Sequence, residues 1–214
     1  MATNIMTLGF ARRATPYKRA TLIFSDLEHL KKIASHCGPL QIIFAGKAHP
    51  QDSQGKEIIR EIIEIKNKLN NHEIRIAYLP DYDMEIGRLM TAGVDLWLNT
   101  PLPPMEASGT SGMKAAINGV PSLSVLDGWW IEGCIDGVTG WAISNTEEPA
   151  KELPPGSNHE AEILYSRLEN TIIPMYYHDR SAYMEIMRNT IAINGSFFNT
   201  ERMISQYVTK AYFR

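Results

Sequence analysis

A run of small residues directly before an expected helix is the part of this sequence best suited to chemistry. Residues 108–112 read Ser-Gly-Thr-Ser-Gly and follow a proline-rich loop at 100–104. Small residues let the backbone approach an anion, and the first N–H groups of a helix have no partner within it. A phosphate could therefore be held there by amides, hydroxyls and the helix dipole. Lys114 falls about one turn into the helix, where its amine could pair with a phosphate or form a Schiff base with an aldehyde such as pyridoxal.

The same segment also fits a purely structural role. A glycine-rich turn can pack a helix closely onto a sheet, which would leave Lys114 exposed and without chemistry. The residue types alone leave both interpretations open.

Apolar runs and helical patterns alternate along the first 143 residues. Strands are expected at 5–10, 41–45, 73–79, 94–98 and 122–126, and helical spacing covers 17–33 and 56–69. Asp83 is expected to cap a short helix that runs through Met90 and ends at Gly93. This alternation predicts an α/β fold with a Rossmann-like, mostly parallel sheet and helices on both faces. Such sheets bind ligands at the carboxyl ends of their strands.

The character of the chain changes near residue 144. Loop-like sequence at 145–149 and 153–158 precedes three helical stretches, at 160–177 (broken near Pro174), 181–193 and 200–212. We predict one domain over 1–214, with a sheet-and-helix core at 1–143 and a loop with packing helices at 144–214.

Composition excludes several classes of protein. The 21 Lys and Arg against 24 Asp and Glu give a net charge of −3, whereas a general nucleic-acid binder would usually be basic. Cys37 and Cys134 are far apart in the sequence and belong to no C-x-x-C motif, which excludes a disulfide framework and a cysteine zinc site and fits a reducing compartment. No apolar run approaches about 18 residues, and no signal peptide is evident. We therefore expect a cytoplasmic protein with no metal site and with no nucleic-acid or membrane partner.

The segment at 106–133, EASGTSGMKAAINGVPSLSVLDGWWIEG, closely resembles the pyridoxal-phosphate segment of α-glucan (glycogen, maltodextrin, starch) phosphorylases of the short prokaryotic type. Further resemblances follow the family's order at 8–24, 44–56, 78–87 and 196–212. The resemblance covers nearly the whole chain. It implies the C-terminal, cofactor-bearing domain of a two-domain GT-B glycosyltransferase, with the N-terminal half missing.

The resemblance also implies how the cofactor, pyridoxal 5′-phosphate, is held. Lys114 corresponds to the lysine that forms the Schiff base. Thr110, Ser111 and Arg12 correspond to residues that hold the cofactor phosphate. Tyr82 corresponds to the tyrosine near the pyridine ring.

Substrate contacts are implied in the same way. Arg13 and Lys18 correspond to catalytic residues that bind the substrate phosphate, and Glu106, Ser108 and Gly109 to the loop that binds the glucosyl hydroxyls. Two adjacent phosphates need several fixed cations to offset their repulsion. Such cations are available in the sequence: Arg12, Arg13, Lys18, Arg19 and Lys114.

The implied function is phosphorolysis of α-1,4-glucan by inorganic phosphate to α-glucose 1-phosphate, performed together with a missing N-terminal domain or a separate chain. The isolated chain is expected to be inactive, and a homo-oligomer remains open. Two alternatives stay open as well: a nucleotide-sugar-dependent glucosyltransferase domain, in which a second glutamate would stand where Lys114 does, and a non-enzymatic remnant. One departure from the family is that Leu102-Pro103 replaces a basic pair near the cleft.

Overall fold

Six parallel strands form the centre of the computed structural model, which describes residues 1–69, 73–143 and 159–213. The strands are β1 (Met6–Ala11), β2 (Leu40–Ala45), β3 (Ile74–Leu79), β4 (Leu96–Asn99), β5 (Ser122–Val125) and β6 (Gly140–Ile143). Their order across the sheet is β3-β2-β1-β4-β5-β6. The direction of winding reverses between β1 and β4, which opens a crevice at the carboxyl edge of the sheet. The predicted α/β class and parallel sheet are confirmed.

Helices surround this sheet. They are α1 (Leu27–Cys37), α2 (Ser53–Leu69), α3 (Met84–Gly93), α4 (Thr110–Ile117), α5 (Trp130–Gly133), α6 (His159–Arg167), α7 (Ile173–His178), α8 (Arg180–Asn189) and α9 (Thr200–Tyr207). Within β2, Ile42 and Phe44 belong to the large apolar core, whereas Ile43 and Ala45 pack in a smaller cluster with Trp97. Successive strand residues point to opposite faces, so both faces of the sheet are covered.

The predicted helix over 17–33 is wrong in its first half. Two short 3₁₀ turns at Pro16–Lys18 and Leu22–Phe24 precede α1. Arg19, between them, has a left-handed φ of 45° that a continuous helix does not tolerate. The helix begins after Asp26, whose side chain accepts a hydrogen bond from the backbone N–H of His29.

The sixth strand was not predicted from the sequence. It is only four residues long, and it begins with Gly140 at φ +145°. A Cβ at this position would lie 2.4 Å from the backbone oxygen of Ser122 on β5, so only glycine allows the strands to pair here.

The C-terminal helices are as predicted, except that Pro174 does not break the first of them. A π-helical turn at Leu168–Ile172 joins α6 to α7, and Pro174 lies in the first turn of α7. Because the hydrogen-bonding pattern changes at this wider turn, the helix continues although proline has no backbone N–H to donate. The predicted loops at 145–149 and 153–158 lie outside the described residues. None of the helices described is both long and apolar enough to cross a membrane.

Candidate active site

The predicted site residues lie at the carboxyl edge of the sheet, on its loops and on α4, as expected for this fold class. Arg12 directly follows β1, and Tyr82 lies just after β3. Glu106 belongs to the loop between β4 and α4, and Lys114 lies on α4 itself. Residues far apart in the chain therefore meet at the crevice beside the switch point.

A buried cluster of three charged side chains forms the centre of this edge. Glu106 Oε2 accepts hydrogen bonds from Arg12 Nη1 and from Lys18 Nζ, the latter at 2.6 Å. The three residues are only 8 %, 7 % and 8 % exposed, for Arg12, Lys18 and Glu106 respectively. A buried carboxylate needs such partners, since burial without them carries a large desolvation cost.

These contacts change the acidity of the cluster. Burial alone would raise the pKa of Glu106, but its hydrogen bonds with Lys18 and Arg12 and their charges outweigh burial and hold its pKa below the ordinary 4.5. Burial likewise lowers the pKa of Arg12, although the charge of Glu106 opposes that shift. Glu106 is therefore an ionised carboxylate at neutral pH.

Arg12 also carries the feature that best indicates a site for an anion. Its Nη2 donates to Ser111 Oγ at 3.3 Å, which connects it to the first turn of α4. Its Nε is buried and has no partner among the described residues. Because an unsatisfied buried donor is costly, this nitrogen fits a site that receives anionic oxygens.

The cluster borders an open cavity of about 470 Å³, which we call the basic cavity. It is lined by Ala11, Arg12, Arg13, Tyr17, Lys18 and the segment 105–111. Arg13 is exposed there. All the residues predicted to bind substrate line this one cavity: Arg13, Lys18, Glu106, Ser108 and Gly109.

A second cavity of about 660 Å³ lies beside it, between α3 and α4, and we call it the Lys114 cavity. Tyr82, Ser111 and Lys114 line it, and Ser111 also lines the basic cavity, so the two spaces adjoin. Lys114 is exposed. Of the other predicted cofactor residues, Arg12 and Thr110 line the basic cavity instead.

Tyr82 is fixed at the rim of the Lys114 cavity by close packing. Gly87 on α3 leaves room for it, because a Cβ at that position would lie 2.9 Å from the Tyr82 hydroxyl. Burial raises the pKa of Tyr82, and the positive charge of Arg12 partly offsets this. The phenol is therefore a neutral hydrogen-bonding group at physiological pH.

Arg19 does not join the cationic group, so the prediction that it helps to offset two phosphates is wrong. Its side chain donates to the backbone oxygens of Thr100 and Pro101, at 2.9 and 2.7 Å, and pairs with Glu160. Arg19 thus attaches the proline-rich loop to α6.

Asp127 is a residue at this edge that our sequence analysis did not single out. It is 4 % exposed and accepts a hydrogen bond from the backbone N–H of Glu106 at 2.8 Å. Its position directly after the predicted strand at 122–126 could have marked it, because ligand sites of such sheets lie at the carboxyl ends of the strands. Trp129 and Trp130, also at this edge, are buried and pack in an apolar cluster with Ala116.

Comparison with known proteins connects this geometry to a family. The model of the carbohydrate phosphorylase family matches residues 10–136. The chain is 47 % identical to the maltodextrin phosphorylase of Thermococcus litoralis over 210 residues and 46 % identical to the glycogen phosphorylase of Aquifex aeolicus over 218 residues. A glycogen phosphorylase of Mycobacterium tuberculosis is 40 % identical over 215 residues.

Each of these matches covers 98 % of this chain but only 25 %, 30 % and 25 % of the respective relative. The chain therefore spans between a quarter and a third of the length of the curated relatives it matches. The match to the family model takes in the strands β2 to β5, and with them the charged cluster and both cavities. This chain belongs to the carbohydrate phosphorylase family.

Proposed function

We propose that this chain is the cofactor-bearing C-terminal domain of an α-glucan phosphorylase, which cleaves α-1,4-glucan with inorganic phosphate and releases α-glucose 1-phosphate. One observation carries the proposal: a cavity lined by three cations adjoins a cavity lined by Lys114, and Ser111 lines both. Two phosphate groups, one from a cofactor and one from substrate, could lie side by side there.

The residues present fit pyridoxal 5′-phosphate as the cofactor. The Lys114 cavity falls within the size range of small-molecule sites, and the unpartnered Nε of Arg12 fits an incoming phosphate. Lys114 would hold the aldehyde end, Tyr82 would lie beside the ring, and Thr110, Ser111 and Arg12 would hold the phosphate. When bound, the cofactor supplies a phosphate that exchanges a proton with the substrate phosphate.

The protein's own residues then act by position and charge. Arg13 and Lys18 bind and orient inorganic phosphate and offset the repulsion between the two phosphate groups. Glu106 directs Oε2 to its two cations, while Oε1 accepts no hydrogen bond from the described residues. That free oxygen would accept a hydrogen bond from a glucosyl hydroxyl, and Ser108 and Gly109 would contact further hydroxyls, so that the sugar is fixed for attack.

A second domain, on the same or a separate chain, is part of the proposal. The relatives are three to four times longer than the matched part. The last helix supports this, because α9 and its continuation bury no residue within the described structure. Its exposed apolar side chains form one stripe: Met203, Ile204, Tyr207, Val208 and Tyr212. We expect a partner domain to cover this stripe and to close the cleft. Without that domain, the isolated chain would be inactive.

A cytoplasmic location is also proposed, and it is supported by the free thiols of Cys37 and Cys134. The alternative of a nucleotide-sugar glucosyltransferase is less well supported. Such enzymes would place a second acid eight positions after Glu106, and lysine stands there.

The deciding experiment is capture of the cofactor. The chain is incubated with pyridoxal phosphate, reduced with borohydride and digested, and the mass of each lysine-containing peptide is measured. We expect the added mass on the peptide with Lys114, its loss in Lys114→Ala and its retention in Lys210→Ala, which removes another exposed lysine. The proposal would be contradicted if the added mass were spread evenly over the lysine-containing peptides. It would also be contradicted if Lys114→Ala captured as much pyridoxal phosphate as the wild type.

A further inference from the structure

Asp127 supports the loop that carries Glu106. Each of its two carboxylate oxygens accepts one hydrogen bond from a different backbone N–H. Oδ2 accepts that of Glu106 at 2.8 Å, and Oδ1 accepts that of Gly128 at 2.9 Å. The side chain is buried and forms no ion pair within the described residues. Asp127 therefore contacts the main chain of the loop, whereas Arg12 and Lys18 contact the side chain of Glu106.

The use of a charged residue here calls for a reason, because a buried carboxylate without a cation is costly. Two backbone donors approach the two oxygens from different sides. Only a carboxylate offers acceptors on both sides, whereas the amide of asparagine would present a donor to one of them. Aspartate at this position therefore satisfies both backbone donors.

The residues after Asp127 hold the same loop at a second point. The backbone N–H of Trp129 donates to the oxygen of Ser108 at 2.8 Å. Gly128 has a left-handed φ of 56°, and a Cβ there would lie 2.5 Å from that oxygen. The segment 127–129 thus fixes both Glu106 and Ser108, the two side-chain-bearing residues that the proposed function assigns to sugar hydroxyls.

We propose that Asp127 is a positioning residue for sugar recognition: by holding the amide of Glu106, it fixes the orientation in which Oε2 meets Arg12 and Lys18 and Oε1 remains available to a sugar hydroxyl. The proposal rests on the proposed function, which places the sugar at Glu106. It concerns how Glu106 is oriented, and its test needs neither cofactor nor turnover.

The test follows the carboxyl group of Glu106 by carbon NMR in the full chain labelled at glutamate, with the signal assigned by its absence in Glu106→Gln. In the wild type, Glu106 is expected to titrate below the range of a free glutamate. In Asp127→Asn the titration midpoint should move upward, because the loop no longer holds Oε2 against its two cations. Loss of the Asp127 charge alone would move the midpoint downward, so an upward shift reports the lost orientation of Glu106. Asp136→Asn is the matched control, since Asp136 also accepts a backbone N–H, that of Ala142, but pairs with Arg167.

A second measurement follows the backbone amide of Glu106 in the same two proteins. Hydrogen exchange of the Glu106 amide should be slow in the wild type and at least about tenfold faster in Asp127→Asn, as expected for the loss of one hydrogen bond. A Glu106 midpoint that stays unchanged in folded Asp127→Asn would overturn the proposal, as would rapid exchange of the Glu106 amide in the wild type.

These outcomes are separate from those of the proposed function. If Lys114 captures no pyridoxal phosphate but the Glu106 signals respond as described, the proposed function fails and the orientation of Glu106 by Asp127 stands. If Lys114 is labelled and the Glu106 signals do not respond, only the role of Asp127 fails.

Discussion

Lys18 Nζ lies 2.6 Å from Oε2 of Glu106, and both side chains are more than nine-tenths buried. The carboxylate thus neutralises a cation that the proposed function assigns to substrate phosphate. Arg12 donates to the same oxygen. An incoming phosphate therefore meets cations that already have an internal anion as partner, and it must share or replace that partner.

Neutralising Glu106 should strengthen the binding of inorganic phosphate. In Glu106→Gln the shape is kept, but Arg12 and Lys18 lose their competing anion, so we expect the affinity for phosphate to rise by about tenfold, or ~1.4 kcal/mol. Isothermal titration calorimetry of the chain with phosphate measures this. Glu160→Gln, which removes the partner of Arg19, serves as the control and should leave the affinity unchanged. Equal or weaker binding in Glu106→Gln would mean that Glu106 does not compete with phosphate.

The same ion cluster predicts how stability depends on pH. The pKa of Glu106 is lower in the folded protein than its ordinary value of 4.5. A lowered folded-state pKa adds stability that is complete above the unfolded-state pKa and is lost as the pH falls through the folded-state pKa. Urea unfolding should therefore show wild type losing stability relative to Glu106→Gln as the pH falls below about 4.5. A difference between the two proteins that stays constant from pH 7 to pH 3 would refute this.

Much of the fold could be predicted from the sequence because apolar periodicity reports burial. The runs that became β1 to β5 are β-branched or apolar and bounded by turn residues, and Asp83 caps α3 as expected. The strand at Gly140–Ile143 could not be found in this way. It is short, its first residue is glycine, and its pairing depends on the approach of Ser122 from β5.

The site was predictable at the level of motifs and not at the level of contacts. The small-residue turn suggested a phosphate, and the family resemblance assigned Arg12, Arg13 and Lys18 to phosphates. The structure brings both segments to one edge of the sheet. The pairing of Glu106 with Arg12, 94 positions away, depends on how β1 and β4 lie side by side. The position of Asp127 after a predicted strand was visible in the sequence, but its contact was not, since its partner is a backbone amide that has no signature in the sequence.

Lys18 and Arg19 are neighbours in the chain, but we expect Lys18 to bind phosphate and Arg19 to stabilise the fold. Lys18 lines the basic cavity, so Lys18→Met should weaken phosphate binding by about tenfold, in line with the loss of one charge-assisted contact. Arg19 points to Thr100, Pro101 and Glu160, so Arg19→Met should leave phosphate binding unchanged and lower the free energy of unfolding. Calorimetry with phosphate and urea unfolding of both variants distinguish the two roles. Equal losses of phosphate affinity would place Arg19 in the site after all.

The packing of α4 against Trp129 gives the sharpest test of the site's framework. A Cβ at Gly112 would lie 2.7 Å from Nε1 of Trp129, a buried ring that also packs edge-on against Phe198 at 5.1 Å. The ring has little room to move, so Gly112→Ala should lower the free energy of unfolding by about 1–3 kcal/mol, despite alanine's better helix propensity.

Gly93 at the end of α3 is the matched control, because nothing lies within 4 Å of a Cβ built there. Gly93→Ala should be neutral or stabilising by up to about 1 kcal/mol, since alanine loses less conformational entropy on folding. Urea unfolding of both variants measures the contrast. Since α4 carries Ser111 and Lys114, Gly112→Ala should also reduce the yield of the pyridoxal phosphate adduct on Lys114, while Gly93→Ala leaves it unchanged. If the two alanines prove equally stable, Trp129 does not fix α4 in the position described.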